Sequence, residues 1–250
     1  MKNKKIEQEL IELFNANGEL SVHTISKKIY VSEATARRYL NILEQKGIVI
    51  RTHGGAVLNN MANNKNLPIY LRIATTKTEK KSIAEKASRL IRDGQVIFLD
   101  ASSTSFHLVP FLEKFNDLLV VTNSLKTAIT LAEMKIQTIC IGGKVDNISF
   151  ACNDYDTISF LRKINGDLFF FSCDALSDEG LLSDNSKEQN IFRLECLRMA
   201  KKKVLLIDHS KLNKKCWYNL CDLSDLDYCF CDIPLPDNLA GMVRNTPNEQ

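Results

Sequence analysis

The chain has 250 residues, 44% hydrophobic and 25% charged, with a formal net charge of +3. This composition excludes disordered, collagen-like and membrane classes, and the length suits two unequal domains. No run of eighteen apolar residues occurs, and the charged start MKNKKIEQELIELF lacks a cleavage site, so a cytoplasmic chain with no membrane partner is expected.

Residues 1 to 58 carry nine Lys/Arg and six Glu, which accounts for the whole formal excess; the remainder is balanced. A local surplus of this kind suits contact with a polyanion. Within it, Ile6, Leu10, Leu13 and Phe14 form a helical stripe ended by Gly18. Ser21 caps a second helix carrying Val22, Ile25 and Ile29, and Ser32 caps a third through SEATARRYLNILEQKG, stopping at Gly47. Ala36, Leu40 and Leu43 share one face of the third helix, leaving Arg37, Arg38 and Asn41 on others. A turn of about three residues between helices two and three predicts a helix-turn-helix corner. The following IVIRTHGGAVL alternates around Gly-Gly and reads as a hairpin wing.

A helix laid in the major groove offers its first residues to base edges. Ser32 and Thr35 can donate to phosphates or bases, Arg37 or Arg38 can bind guanine bidentately, and Arg51 and His53 can track an adjacent strand. The plainer reading makes the arginines a solvated face of a peptide-docking module. Charge and wing together favour double-stranded DNA.

Leu58 to Asn66, LNNMANNKN, contains five Asn and little apolar periodicity. A linker over 59–75 is expected, followed by an effector domain over 76–235 and a tail over 236–250. Thr76 and Glu79 are spaced for a capping box on a helix that Gly94 terminates. Beyond it, QVIFLD, LLVVTN, IQTICIGG, DLFFFSC, KVLLID and DYCFCD are strand candidates separated by helical stretches, at 104–114, 124–133 and 186–201 among others. Alternation of this kind predicts an α/β domain with a parallel sheet buried on both faces.

The strand ends are the informative part. Asp100-Ala101-Ser102-Ser103-Thr104, Thr122-Asn123-Ser124, Gly142-Gly143-Lys144 and Asp208-His209-Ser210-Lys211 all follow apolar runs, and in an open α/β sheet such ends share one ligand-binding edge. Hydroxyls, backbone N–H groups and Lys144 or Lys211 suit a phosphate-bearing molecule. Taken singly, each loop is an ordinary cap or turn. Pro110 should break the helix that begins near Thr104.

VSEATARRYLNILEQKGIVIRTHGGAV resembles the helix-turn-helix of the DeoR family of bacterial transcriptional repressors, matching at Ser32, Glu33, Thr35, Arg37, Arg38, Leu40, Leu43, Gly47, Arg51, His53, Gly54, Gly55 and Ala56. Ala36 and Tyr39 depart from the family pattern, which usually has a larger aliphatic and an aspartate. KxxIAxxAxxLIxDG, IFLDASST, VVTNS, IGG and LIDHSK extend the resemblance over roughly residues 70 to 232. It implies a parallel-sheet, sugar-phosphate-isomerase-like effector domain behind a small winged helix-turn-helix domain, with a phosphorylated sugar as effector. By that resemblance Glu33 joins the DNA-contacting set, and the effector positions are Asp100, Ser102, Ser103, Thr104, Thr122, Asn123, Gly142, Gly143 and Lys211. Ser102 replaces a frequent glycine, and Cys152 and Asn153 also fall where glycine is common.

The leading expectation is therefore a repressor of a carbohydrate operon, at least a dimer because operators carry paired half-sites, and either dimeric or tetrameric. The rival is a sugar-phosphate isomerase or hydrolase using Asp100, Asp174, Asp178, His209 and Lys211. GLLSDNSKEQN lacks the lysine-glycine-glycine stretch of the isomerases, which argues against an enzyme. A third alternative is a protein-interaction scaffold without a nucleic-acid role. No cofactor and no metal are expected. The eight cysteines read as reduced, mostly buried thiols; a zinc site from Cys216, Cys221, Cys229 and Cys231 is the sharper alternative, but its spacing is unlike known zinc knuckles.

Overall fold

The computed structural model describes residues 2–45, 48–58, 68–154 and 158–243, and the chain divides into two compact units, residues 1–77 and 78–250. Gly47 and most of the expected linker, 59–67, lie outside the described residues.

In the first unit α1 (Lys2–Asn17), α2 (Val22–Lys28) and α3 (Glu33–Gln45) pack around Leu10, Phe14, Ile25, Leu40 and Leu43. Gly18 closes α1 in the left-handed region, φ +70°, with its N–H on the Phe14 carbonyl at 2.7 Å, as a helix-ending glycine should. Ser21 caps α2 by accepting from the Thr24 N–H at 3.0 Å, and Ser32 serves α3 likewise through the Thr35 N–H at 3.2 Å. The buried face of α3 is wider than the periodicity indicated: Tyr39, beside Ala36 and Leu40, is a core residue.

The wing has three strands, β1 (Glu19–Ser21), β2 (Val49–Thr52) and β3 (Gly55–Leu58), in the antiparallel order β1-β3-β2. Three-residue β1 is too short to show a period in sequence. The turn is His53-Gly54, not Gly-Gly. Gly55 already pairs with Thr52 and Ser21, and a Cβ there would lie 2.1 Å from the Leu20 carbonyl oxygen. Its glycine is therefore required by strand approach rather than by a turn.

The expected linker also ends early. α4 (Ile69–Ala74) belongs to the first unit, where Asn15 Nδ2 donates to the Ala74 carbonyl at 3.1 Å and Ile69 and Ala74 are buried. Asn-rich sequence upstream gave no hint of this short apolar helix.

The second unit opens with α5 (Lys77–Ser88), whose first residue closes the first unit. Thr76, expected as its cap, sits at φ 47°, outside the extended conformation a capping residue adopts. Six parallel strands follow: β4 (Val96–Leu99), β5 (Leu119–Thr122), β6 (Gln137–Cys140), β7 (Gly166–Phe171), β10 (Ala200–Ile207) and β12 (Tyr228–Cys231), ordered β12-β10-β7-β4-β5-β6. Alternate residues serve opposite faces. Phe98, Phe169, Phe171 and Leu205 pack in one layer with Phe192, whereas Ile97, Leu99, Phe170 and Leu206 pack in the other with Ile83 and Leu108. Each of these phenylalanines contributes about 1.5–3 kcal/mol on burial, so the FFF run anchors both layers.

The chain builds outward from β4 through β5 to β6, then returns to the other side of β4 with β7, β10 and β12. Strand order therefore reverses between β4 and β7, the place where open α/β sheets bind ligands. α6 (Ser103–Phe106) stops early and Pro110 opens a separate 3-10 segment, Val109–Lys114, as the proline predicted. α7 (Leu125–Glu133) and α8 (Lys187–Met199) match expectation.

A second sheet was not foreseen. β8 (Ala175–Leu176), β9 (Leu181–Asp184) and β11 (Tyr218–Asp222) form an antiparallel sheet, β11-β9-β8, from sequence in which no strand was expected. The expected tail likewise begins as structure: in α9 (Asp237–Ala240) Leu239 is buried, Val243 joins the same core, and Met242 packs on Gly180. Residues 244–250 of that tail lie outside the described residues.

Candidate functional site

In the first unit the polar residues of α3 stay in solvent. Ser32 Oγ lies 2.9 Å from Thr35 Oγ1, so each hydroxyl orients the other at the helix start. Glu33 occupies the first turn, where a carboxylate opposes the helix dipole, with one oxygen 3.3 Å from His23 Nδ1 and the other 3.5 Å from Arg37 Nη2. Exposed pairs of this kind contribute about 0.2–1 kcal/mol, so Arg37 is lightly held and can be released to a competing anion. Arg38 stacks its guanidinium 5.5 Å from the Tyr39 ring centroid. The aromatic departure at Tyr39 thus has two consequences, a filled core and an oriented arginine.

His53 is exposed at the wing turn. Arg51 is half-buried, and its Nη1 is buried without a hydrogen bond. Sequence reasoning gave Arg51 and His53 one role, but the structure gives them different environments.

In the second unit the expected effector residues gather at the carboxyl edge of the parallel sheet, though they are engaged unequally. Asp100, directly after β4, is saturated. Its Oδ1 accepts from the Ser102 N–H at 3.2 Å and the Ser102 hydroxyl at 2.6 Å, and its Oδ2 accepts from Arg193 Nε at 2.8 Å and the Ser172 N–H at 3.4 Å. Asp100 therefore braces the β4 and β7 loops, and no lone pair is left for a sugar hydroxyl.

Ser102 is also occupied. Its only proton goes to Asp100, its oxygen accepts from the Ser105 N–H at 3.1 Å, and its φ of −78° suits any residue. The glycine usual there is thus not missed conformationally, and the added hydroxyl caps α6 rather than facing a ligand. Ser103 and Thr104, buried beside it, have hydroxyls with no hydrogen bond among the described residues.

Thr122 Oγ1 accepts from the Ser124 N–H at 3.1 Å, a loop-ordering role, whereas Asn123 Nδ2 donates to the Cys152 carbonyl at 3.3 Å and Asn153 Oδ1 at 3.1 Å. Gly142, Gly143 and Lys144 form an exposed loop after β6. Gly143 has φ +115°, and a Cβ on it would meet Asp154 Cβ at 2.3 Å, so this glycine is a backbone requirement. Lys211 follows β10, mostly buried, 4.0 Å from Asp174 Oδ1. From β10 to β6 is four strand steps, or about 19 Å. Lys144 and Lys211 hence flank the edge from opposite sides rather than clasping one point.

The residues that organise this edge were largely missed. Arg193 on α8 is buried between Asp100 and Asp184, with Nη1 2.8 Å from Asp184 Oδ2. That Asp184 oxygen has no directed hydrogen bond, so the contact is electrostatic, while its Oδ1 accepts from the Asp174 N–H at 3.1 Å. Burial first, then the nearby Asp174 and Asp100 charges, pushes Asp184 up to about 6 despite Arg193. Burial opposes the Arg193 charge, but Asp184 and Asp100 more than offset it and raise its pKa. A basic residue mid-helix reads as solvated in sequence, and only β9 and α8 together reveal its partners.

At the outer flank His209 Nδ1 lies 2.6 Å from Asp232 Oδ2, and the His209 N–H donates to Asp232 Oδ1 at 2.8 Å. The Asp232 hydrogen bond raises the histidine above its ordinary value. The acids of the enzyme alternative are otherwise engaged or exposed: Asp100 is saturated, Asp174 orders Asn185, and Asp178 is exposed on a turn. Among the described residues no group of three or more His, Cys, Asp or Glu could hold a metal, and burial raises the Cys216, Cys221, Cys229 and Cys231 thiols. No helix among those residues is long and apolar enough to cross a membrane.

Comparison with known proteins matches residues 7–62 to the DeoR-like helix-turn-helix domain and 75–233 to the DeoR C terminal sensor domain. The transcriptional regulator GolR of Listeria innocua is 33% identical, covering 90% of this chain and 89% of that protein. The L-fucose operon activator of Escherichia coli is 30% identical over 90% of this chain and 93% of its own. The glycerol-3-phosphate regulon repressor of the same organism is 27% identical over 98% and 97%. Among solved structures, ribose 5-phosphate isomerase A of Methanocaldococcus jannaschii aligns with 55% of each chain at 18% identity and a TM-score of 0.43.

Proposed function

The chain belongs to the DeoR family of transcriptional regulators, and from that premise we propose that it represses a carbohydrate operon under the control of a phosphorylated sugar. It is a DNA-binding regulator of the kind that governs sugar operons, and not an enzyme. Cytoplasmic location follows from this role. On the DNA side, the exposed start of α3 supplies Ser32, Thr35, Arg37 and Arg38, with His53 on the wing against the phosphate backbone. Glu33 orients Arg37 rather than approaching the polyanion.

The observation that carries the effector reading is the β4/β7 reversal, where Ser103 and Thr104 keep unspent hydroxyls and Lys211 sits nearby in a mostly buried position. Hydroxyl donors and an ammonium suit a phosphate dianion. Asn123 and the loop of Gly142, Gly143 and Lys144 contact the rest of the ligand. Asp100, Ser102 and Thr122 hold the loops in place. Repression needs only a head that occupies its operator, whereas activation needs a further surface for polymerase. An oligomer, at least a dimer, is required to read paired half-sites. The effector then acts by binding the DNA-competent and incompetent arrangements with different affinity.

Operator-fragment retention at rising salt tests the first half. Arg38→Ala should weaken binding roughly tenfold or more and flatten the salt slope by about one; retention equal to wild type rejects the α3 assignment. For the second half, a sugar phosphate that raises thermal stability by mass action should also release the operator. Thr104→Ala or Lys211→Ala should abolish that release with operator binding intact, and a normal response in both places the pocket elsewhere.

A further inference from the structure

Two buried amides at the sensor edge are each held at one end and unmet at the other. Asn123, 2% exposed, spends Nδ2 on the Cys152 carbonyl and Asn153 Oδ1, and its own Oδ1 receives no hydrogen bond. Asn190, 4% exposed, accepts from Arg193 Nη1 through Oδ1 at 3.4 Å, and its Nδ2 finds no acceptor. Flipping either amide relieves nothing. A turned Asn190 would set its NH2 against a guanidinium that has only donors, and a turned Asn123 would set its oxygen against the Cys152 carbonyl, which can only accept.

Both amides belong to the same edge. Asn123 follows β5, and Asn190 is joined through Arg193 to Asp100, which follows the adjacent strand β4. The loop after β6 adjoins the partner of Asn123, the Lys144 carbonyl accepting from the Asn153 N–H at 3.1 Å, and Glu188, two residues before Asn190, is lowered chiefly by its own backbone and Ser186 hydrogen bonds and more weakly by the Lys187 and Lys144 charges. An unmet buried acceptor and an unmet buried donor each carry a desolvation penalty until a ligand relieves it.

An ionised phosphate cannot relieve both, because its oxygens only accept and would face Asn123 Oδ1 with lone pairs. A hydroxyl both donates and accepts. We infer that the effector is read here at its polyol portion, one hydroxyl or a vicinal pair donating to Asn123 Oδ1 and accepting from Asn190 Nδ2, which makes Asn190 a specificity-determining residue. This deepens the sugar-phosphate reading and rests on it. The phosphate then lies away from the amides, toward Ser103, Thr104 and Lys211. Asn190 sits inside α8 with no motif around it, so nothing in the sequence singles it out.

The test is calorimetric titration of the full-length protein with ribose 5-phosphate, fructose 6-phosphate, tagatose 6-phosphate, glucose 6-phosphate and glycerol 3-phosphate, then with single-deoxy analogues of the tightest binder. One deoxy position should cost wild type roughly tenfold or more in affinity, since a site built to bond a hydroxyl is left unpaired without it. Asn190→Asp keeps an acceptor for Arg193 but replaces the donor, and should weaken the parent sugar comparably while costing that deoxy analogue little more. If all deoxy analogues bind wild type within about twofold of the parent, water satisfies the amides and the inference is overturned with the sugar-phosphate reading intact. Binding of none of the five overturns both. Should Asn190→Asp not fold, the deoxy series on wild type decides alone.

Discussion

The two units treat their polar residues in opposite ways. Along α3 the groups assigned to recognition are exposed and tethered by long, solvent-screened contacts, such as Arg37 to Glu33 at 3.5 Å. At the sensor edge Asp100, Ser102, Thr122 and Asn123 are buried and cross-braced, mostly by shorter bonds. The difference follows from the partners. A DNA backbone supplies its own dense charge and is met by side chains that order on contact, whereas a small effector must find donors and acceptors already in place.

The sharpest way to break this contrast is Arg193→Ala. It strands two buried carboxylates and should destabilise the sensor unit by about 3–5 kcal/mol, read from denaturant midpoints; a loss under about 1 kcal/mol would mean that water reaches the network. A smaller break comes from the head, where Gly55→Ala forces a methyl onto the Leu20 carbonyl. A cost of about 1–3 kcal/mol is expected, seen as earlier melting of the wing, because overpacking here meets backbone that cannot rotate away.

Next comes pH. Asp184 is lifted from its ordinary 3.8 to about 6, so its contribution to stability is complete below pH 3.8 and lost as pH rises through about 6. Wild type should therefore gain on Asp184→Asn when acidified from pH 7 toward pH 4, and a constant difference between their melting temperatures would contradict that placement. The smallest effect is expected at His209, which is about half exposed. Raised above 6.5 by Asp232, it adds stability that is complete below pH 6.5 and fades as pH climbs through its folded value. Melting of wild type against His209→Gln between pH 6 and 9 should show the gap closing, more faintly in high salt.

Much of this molecule was legible in its residues. The helix-turn-helix could be read because Ser21, Ser32 and the leucine spacing are local signals. The six parallel strands could be read because burial on both faces makes them continuous apolar runs. Pro110 broke its helix as its chemistry demands. What escaped was non-local: β1 and β8 are too short to show a period, and α4 follows an Asn-rich stretch that masks it.

The candidate site divides along the same line. Small and hydroxylated residues after strands announced the edge at Ser103, Thr104, Asn123 and Lys211. They did not reveal that Asp100 and Ser102 are consumed in bracing it, since that depends on Arg193, ninety-three positions away. Residue type and spacing alone determined the family, the alternation of elements and the gathering of hydroxyl, glycine and lysine residues after the strands, because these arise from local propensity and apolar pattern. Which donors are spent and which remain open was decided only by the tertiary structure, because a hydrogen bond is satisfied by whatever group folding brings within 3 Å, however far along the chain it lies.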